Sequence, residues 1–375
     1  MRTPSPARSR KKWRGRLALA TGLAAVAVLV GMLPAAATNG TIWTTLPSMP
    51  TPRGGLGSAV APCPPGQTGA CVYAMGGSNS TTGDLATAES YNRLTNAWST
   101  LPAMPTRRND TTAVAAPCPP GQSGTCVYVI GGRITVFGDG ETDVLQSVVE
   151  SYNPVTNAWS TVSPLRTARR NLAAAAAPCP PGQGGTCIYV VGGTDNGFLN
   201  TAEVYSPANN SWSTVAAMPT RRMSLGAAAA ACPPGQSGTC VYAVGGLNSA
   251  GFSSTVESYN PATNAWSPVA SLPGARDDIA MAATNCPPGQ NGTCLYAVGG
   301  FNQNGDLGTV QSYNPASNLW TDLPPLPTPR SEAAAAAMPC PVGVSGNCVY
   351  TSGGFAGSSF IGTVEALDPP RPSQP

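Results

Sequence analysis

Six times this chain lays down the same set of intervals: a Trp, an Arg ten residues on, a Cys ten further, a second Cys eight beyond it, and a Gly-Gly doublet 23 residues after the Arg. Trp43, Trp98, Trp159, Trp212, Trp266 and Trp320 lead to Arg53, Arg108, Arg169, Arg222, Arg276 and Arg330, and these to Gly76, Gly131, Gly192, Gly245, Gly299 and Gly353. A period of 53 to 61 residues with all other intervals fixed marks a repeat architecture, because a unit that cannot bury its apolar face alone must stack on copies of itself. Any fold for this chain therefore contains six near-equivalent modules.

The unit from Arg222 to Trp266 shows what one module is. Met223 to Cys232 is small and apolar, Pro233 to Thr239 is turn chemistry, and Cys240-Val241-Tyr242-Ala243-Val244 is a β-type run closed by Gly245-Gly246, which together predict a hairpin. A polar loop of varying length follows, then Thr255 to Tyr259, an Asn-Pro turn, and a strand through Trp266. Four short antiparallel strands, six times over, predict an all-β, six-bladed propeller. One local signal opposes this, since the first strands are runs of Ala (173–177, 227–231, 333–337) that intrinsic propensity assigns to helix. Their fixed offset before each Cys overrides it, and strands crowded toward an axis require small side chains. The last unit lacks a Trp strand while Ile42 to Leu46 is a strand without a unit, so joining them closes the ring and removes exposed edges.

The first 37 residues differ. Seven basic residues from Arg2 to Arg16 precede an apolar run, Leu17–Leu33, and Ala35-Ala36-Ala37, which is the layout of a signal peptide cleaved after Ala37; an uncleaved membrane anchor is the alternative. Without this segment 13 Arg face 17 carboxylates, a net charge of −4, and no Lys or His remains. A nucleic-acid footprint is therefore not expected. Lack of His removes imidazole bases, His-ligated metals and the Ser-His-Asp relay. All 12 Cys fall into six equal pairs: Cys63/Cys71, Cys118/Cys126, Cys179/Cys187, Cys232/Cys240, Cys286/Cys294 and Cys340/Cys348. The repeat symmetry selects a local disulfide in each hairpin, between cysteines expected to sit opposite each other across the turn, consistent with an oxidising compartment.

Tyr-x-x-Gly-Gly at Tyr73, Tyr128, Tyr189, Tyr242, Tyr296 and Tyr350, the Glu-x-Tyr-Asn-Pro segment and the Trp after it resemble kelch repeats. The resemblance covers essentially the whole chain after residue 37 and implies a kelch propeller, here a secreted, disulfide-containing variant; Arg-only basicity in an Ala- and Pro-rich chain points to a bacterial genome. Leu367 in place of Tyr, Gln311 in place of Glu, and the Cys-flanked Pro-Pro-Gly-Gln loops depart from the usual pattern. The expected organisation is a signal peptide at 1–37, one propeller at 38–368, and a Pro-rich tail at 369–375. Its blades fall near 51–102, 106–163, 167–215, 220–269, 274–323, and 328–368 joined by 41–47.

Strand alternation puts the Arg series and the loops after Gly-Gly on one face, with the Cys hairpins and Asn-Pro turns on the other. Variable loops on a rigid scaffold are where binding resides, and the longest runs from Arg133 to Asp143. Candidate ligand-binding residues are Arg53, Arg108, Arg169, Arg222, Arg276 and Arg330 as a guanidinium ring, with Arg133, Phe137, Asp139, Glu141, Asp277 and Glu332. Each repeated Arg has an equally good structural role, bonding backbone carbonyls or a repeat carboxylate. Recurrence of Glu89, Glu150, Glu203, Glu257 and Glu365 at one register argues against a catalytic pair among them. Asp139, Glu141 and Asp143 are dense enough for a calcium ion but lack an EF-hand pattern. Phe137, Phe198, Phe252, Phe301, Phe355 and Phe360 sit in or beside variable loops. The functional expectation is a secreted or envelope-associated, monomeric module without cofactor or resident metal, binding a protein or carbohydrate ligand through the variable-loop face and not inserted in a membrane after cleavage. The competing expectations are a carboxylate- and Arg-based sugar-modifying enzyme and a passive, disulfide-hardened surface protein.

Overall fold

The computed structural model describes residues 42–137 and 141–368, with backbone alone at positions 42, 137 and 141. The expected signal segment and the Pro-rich tail lie outside the described residues. Six antiparallel four-stranded sheets follow one another around an axis as the blades of a propeller. The first is built from Gly57–Pro62, Ala70–Met75, Ala88–Asn92 and Ala97–Thr100, in that order from the inside outward. The second to fifth begin at Thr112–Pro117, Ala173–Pro178, Gly226–Ala231 and Ala280–Asn285. In the sixth, Ala334–Pro339, Asn347–Ser352 and Val364–Asp368 take their outer strand from Ile42–Leu46, with Ile42 opposite Asp368 and Leu46 opposite Val364. The ring is closed by the N-terminal strand, as the sequence predicts.

The alanine runs are inner strands, each in full register with the strand that follows; Ala173 to Pro178 pairs with Val191 to Thr186. Strand pairing overrides helix propensity, and at particular inner-strand positions the neighbouring blade leaves no room even for a methyl group. A Cβ added at Gly226 would lie 2.2 Å from Cγ of Met281 in the next blade. The second glycine of each doublet is required for another reason: Gly77 has φ +97°, and a Cβ there would stand 2.7 Å from the carbonyl of Gly54.

All six hairpins are closed by the expected local disulfides, Cys63–Cys71, Cys118–Cys126, Cys179–Cys187, Cys232–Cys240, Cys286–Cys294 and Cys340–Cys348, with Cα separations of 4.7–4.9 Å. The two cysteines of a pair are not directly opposite, and here the structure corrects the sequence reading. Cys71, Cys126, Cys187, Cys240, Cys294 and Cys348 stand on the second strand against Ala61, Ala116, Ala177, Ala230, Thr284 and Met338. The first cysteine lies two residues beyond, past the end of the ladder, where Cys63 donates its backbone N–H to the Gly69 carbonyl. Strand alternation returns a side chain to the same face after two residues, so each bridge joins diagonal neighbours. The second cysteine of every pair is at most 1% exposed and packs in an apolar cluster of its blade, Cys71 with Tyr73 and Cys126 with Tyr128. The bridges are therefore parts of the core rather than caps on surface loops. Each closes a loop of about nine residues, worth ~2.5 kcal/mol in the chain-entropy model.

The other repeated residues lock blades internally and to each other. The second-strand tyrosines donate from their hydroxyls to a carbonyl at the end of the inner strand at 2.5–2.8 Å, as Tyr73 does to Pro62. The third-strand tyrosines, Tyr91, Tyr152, Tyr205, Tyr259 and Tyr313, donate to an Asn side chain that ends the following turn. That Asn holds φ between 47° and 55° in every case. Each Trp indole reaches back one blade, Trp98 to the Pro47 carbonyl at 2.8 Å and Trp43 to the Pro324 carbonyl at 3.0 Å. Tyrosine rings of adjacent blades also meet, Tyr73 with Tyr152 and Tyr91 with Tyr350 among them. Where Leu367 replaces the third-strand Tyr it joins Tyr296 in one apolar cluster instead.

Burial pushes up the pKa of all eleven tyrosines, to about 12 for Tyr91, Tyr152, Tyr205, Tyr259 and Tyr313 and further for the others. A folded pKa above the unfolded value of roughly 10 contributes stability that is complete below that pH and is lost as pH rises through the folded value. With no His to titrate near neutrality, the melting temperature is expected to stay level between about pH 6 and 9 and fall steeply above roughly pH 10. Differential scanning calorimetry across that range checks both limbs, and a marked slope between pH 6 and 8 contradicts the account.

Candidate functional site

Six guanidinium groups at one register invite a picture of an open anion ring, and the structure corrects it. Arg53, Arg108, Arg169, Arg222, Arg276 and Arg330 are at most 1% exposed. Five are ion-paired within their own blades, Arg53 to Glu89 at 2.8 Å, Arg108 to Glu150 at 2.7 Å, Arg222 to Glu257 at 2.9 Å, Arg330 to Glu365 at 2.6 Å, and Arg169 to Glu203. Further N–H groups donate to backbone carbonyls of the same blade, as Arg53 does to Ala74. The physical reason is satisfaction: a carboxylate buried on the third strand and a guanidinium buried in the incoming loop each need the other. A hydroxyl from Thr51, Thr106, Thr220 or Thr328 takes up the second carboxylate oxygen in four blades. These glutamates are thereby committed to architecture rather than to acid-base chemistry.

The fifth blade differs. Arg276 meets the neutral Gln311 at 2.9 Å, and Gln311 passes its own amide N–H to Asp322 on the outer strand at 2.7 Å. Burial lowers the Arg276 pKa to about 10, opposed by the charge of Asp322.

Each buried arginine holds in place the residue two positions later, and those six residues, Gly55, Asp110, Asn171, Ser224, Asp278 and Glu332, rim the central channel. All six have left-handed backbone, φ 50–64°. Their backbones bond around the mouth: Gly55 N–H to Glu332, Asn171 to Asp110, Ser224 to Asn171 and Asp278 to Ser224, at 2.8–3.0 Å. Inside the rim lie Leu56, Thr111, Leu172, Leu225 and Ile279, and a cavity of about 150 Å³. The acids at 110, 278 and 332 are visible in the sequence as neighbours of the Arg register. Their shared conformation is not, although a polar residue or glycine at the second position after every Arg was the available signal.

The loops after Gly-Gly flank this mouth, as strand alternation predicts. The residue after each Arg makes a backbone bridge with the residue after each doublet: Gly54 with Ser78, Asn109 with Arg133, Arg170 with Thr194, Met223 with Leu247, Asp277 with Phe301, Ser331 with Phe355. The longest loop is a two-stranded ribbon, Arg133–Phe137 against Glu141–Leu145. Arg133 sits at its base, bonded through Nε to Asp110 at 2.8 Å and through Nη1 to Asp143, while Arg170 approaches the same two carboxylates at 3.4 and 3.3 Å. Asp143 is thereby occupied by two cations, against the calcium reading. Asp84 of the first blade accepts from Asn109 and from the Thr135 amide, pinning the ribbon from the other side. With one ribbon face fastened, Val136 and Val144 on the other are 44% and 45% exposed.

Of the remaining candidates, Glu332 is on the rim and Asp277 is buried beside it. Asp139 lies outside the described residues, and Phe137 and Glu141 are described by backbone alone, opposite one another at the end of the ribbon. The disulfide cysteines lie at the other end of the blades, with Cys71, Cys126, Cys187 and Cys294 fully buried, and take no part in the mouth. Phe198, Phe252, Phe301, Phe355 and Phe360 are half-buried at the loop face. Phe252 packs on Phe301 with ring centroids 6.0 Å apart and Phe355 on Phe360 at 5.3 Å. The mouth is thus asymmetric, with an ion network and apolar ribbon at the second blade and aromatic pairs at the fourth to sixth.

The Glu89→Gln substitution copies the fifth blade's exchange but leaves Arg53 buried without an anion, and is expected to cost about 3 kcal/mol in chemical denaturation. Thr100 faces Glu89 as Asp322 faces Gln311, so adding Thr100→Asp to Glu89→Gln is expected to restore most of the loss. Equal stability of the single and double variants rules out the relay.

The model of the Kelch motif matches residues 61–105, 115–166, 175–219, 229–273 and 282–327. The chain is similar to the Kelch-like protein terF of Aspergillus terreus, with 27% identity over 244 residues, 61% of this chain and 47% of that protein. It is similar to Kelch-like protein 25 of Xenopus tropicalis, 24% identical over 74% of this chain and 42% of that one, and to human Kelch-like protein 23, 27% identical over 65% and 39%. The chain spans less than half the length of these curated relatives. Among solved structures, that of YjhT superposes with a TM-score of 0.59 over 85% of this chain and 96% of that one at 15% identity, a likeness of fold.

Proposed function

The chain belongs to the kelch-repeat family, and from that premise we propose that it is an exported module that binds a protein partner through the face carrying the channel mouth and the long ribbon. Kelch propellers are commonly protein-interaction modules. The observation that carries the reading here is where the repeat symmetry fails. The repeat Trp, the second-strand Tyr, the Cys pair and Gly-Gly are the same in structure from blade to blade, and the buried Arg changes only its partner in the fifth. The second blade's ribbon is the large exception, and it is fastened on one side by Arg133, Asp110, Asp143 and Asp84 so that Val136 and Val144 stay in solvent.

A rigid, partly apolar projection beside a polar cavity is the anatomy of a protein-binding surface, where a few apolar anchors contribute most of the energy. The half-buried phenylalanine pairs extend that surface across the mouth. A protein partner is favoured over a carbohydrate because the exposed Val136 and Val144 side chains are apolar anchors. Export is supported by the signal-like N-terminal sequence and by six hairpin disulfides, which persist in oxidising compartments.

The test compares the wild-type chain with a variant whose 132–147 loop is replaced by the short turn of the fourth blade, using both as immobilised bait for secreted proteins and on a glycan array. Loss of a protein ligand in the loop variant, and at least about tenfold weaker binding by Val136→Asp/Val144→Asp in titration calorimetry, is the expected result. Unchanged protein capture by the loop variant, or glycan binding in its place, overturns the reading.

A further inference from the structure

The opposite face has its own character. The six Cys hairpin loops, 63–69, 118–124, 179–185, 232–238, 286–292 and 340–346, hold no charged residue, and the five turns before the outer strands add only Arg93. Four large apolar side chains stand out from this face: Leu319 on the fifth blade, 63% exposed, Val342 on the sixth, 69%, Leu94 on the first, 43%, and Val155 on the second, 60%. They occupy four consecutive blades. The repeat positions of Leu94 and Val155 are Ala208 and Ala262 in the third and fourth blades, and Val342 stands where every other hairpin has Pro. The arc is therefore an addition to the repeat, not a part of it.

Its centre is the seam of the ring. Ile42 enters on this face opposite Asp368, and the Asp368 carboxylate lies within 4.8 Å of the sulfurs of Cys340 and Cys348, in the hairpin that carries Val342. Arg93 Nη1 donates to the Cys340 carbonyl at 3.2 Å, joining the turn of Leu94 to the same hairpin. Only eight residues separate Ile42 from Leu33, the end of the 17-residue apolar run that follows seven basic residues. Eight residues reach roughly 30 Å at full extension.

We propose that this face rests on a lipid bilayer, with Leu94, Val155, Leu319 and Val342 entering the interfacial layer. While the apolar run occupies a membrane, the seam is held within that reach, and the hairpin loops and turns around it leave few charges to desolvate, Arg93 and the seam carboxylate Asp368 among the described residues. Single aliphatic side chains spaced over four blades suit a soft, continuous apolar phase, whereas a protein interface gathers its anchors into one packed centre with aromatic residues and Arg. Arg93 and Asp368 are opposite in sign, so this face carries little net charge against anionic headgroups. The partner-binding face then points away from the membrane, although the two readings stand or fall separately.

The test uses the chain from Thr38, since residues 42–368 close the propeller by themselves, with phosphatidylcholine vesicles and vesicles containing phosphatidylserine in a flotation assay. Binding to both at high salt, reduced at least about tenfold in Leu94→Asp/Val155→Asp/Leu319→Asp/Val342→Asp and strongly in Val342→Asp alone, is expected. Val136→Asp/Val144→Asp on the other face should float like wild type. The proposal fails if wild type does not float with phosphatidylcholine, if binding needs phosphatidylserine and vanishes with salt, if the four-site variant floats equally, or if sedimentation shows those four residues holding two copies together.

Discussion

The buried guanidinium is the constraint on which the rest of the propeller depends. It lies where the chain, having finished one blade on the outside, returns to the axis to begin the next. A loop making that crossing must bury backbone, and unpaired backbone polar groups in the interior are costly. Arg solves the problem with one side chain: its fork reaches a second-strand carbonyl and a third-strand carboxylate together, so the returning loop is fixed to the strands it must cover. Lys could supply the charge but not the divergent donors. The fixed loop then sets the left-handed turn at the channel rim and the bridge to the loop after Gly-Gly. The candidate site is positioned by a residue that does not face it.

This division explains what was legible in the amino-acid sequence. Fold, blade order, ring closure and disulfide pairing follow from spacing alone, because each repeated residue makes the same contact in each blade and equal contacts demand equal intervals. Trp43 and Trp98 illustrate it, donating to carbonyls one blade back from opposite sides of the seam. Spacing fixes which groups pair but not their register, so the diagonal placement of Cys63 and Cys71 emerges only with the ladder that sets Ala61 against Cys71. The Arg ring was ambiguous for a related reason: a repeated residue announces a repeated environment, and exposure is not a property of spacing. The ribbon network was illegible. Asp110, Arg133, Asp143 and Arg170 are up to 60 residues apart and appear once each, so only the fold brings them together.

The two faces also show why the variation is distributed as it is. On the hairpin side the loops are short, disulfide-closed and cross-braced: Gln67 accepts from Asn92 and donates to Ser99. Change there disturbs strand ends. On the other side the loops after Gly-Gly leave the sheet through two consecutive residues of positive φ and return to it through the third strand. Residues inserted between those points alter no ladder, so length can grow in the second blade without moving the six disulfides or the six tryptophans.

The departures from the repeat measure how much of it is needed. Leu367 gives up a hydroxyl, an Asn partner and an inter-blade aromatic contact, yet it stands in the blade whose outer strand comes from the other end of the chain. No turn joins its third strand to its fourth, so no Asn awaits a donor there. The hairpin of that blade has Val344 where others have Gln, and here the partner is exchanged: the strand-end position that is Asn92 in the first blade is Asp368, which has no amide N–H for a Gln to accept from, and the valine packs into the apolar cluster between the sixth and first blades. Gln311 is the complementary case, where the missing carboxylate is supplied one strand further out by Asp322. At Leu367, Val344 and Gln311 the altered residue is matched by the loss or relocation of its partner. What the six-fold pattern keeps most strictly within one chain is paired satisfaction of its buried groups, whereas the Asn–Gln brace at the hairpin end tolerates loss: Ser206 stands at the Asn position of the third blade and Gln183 is retained.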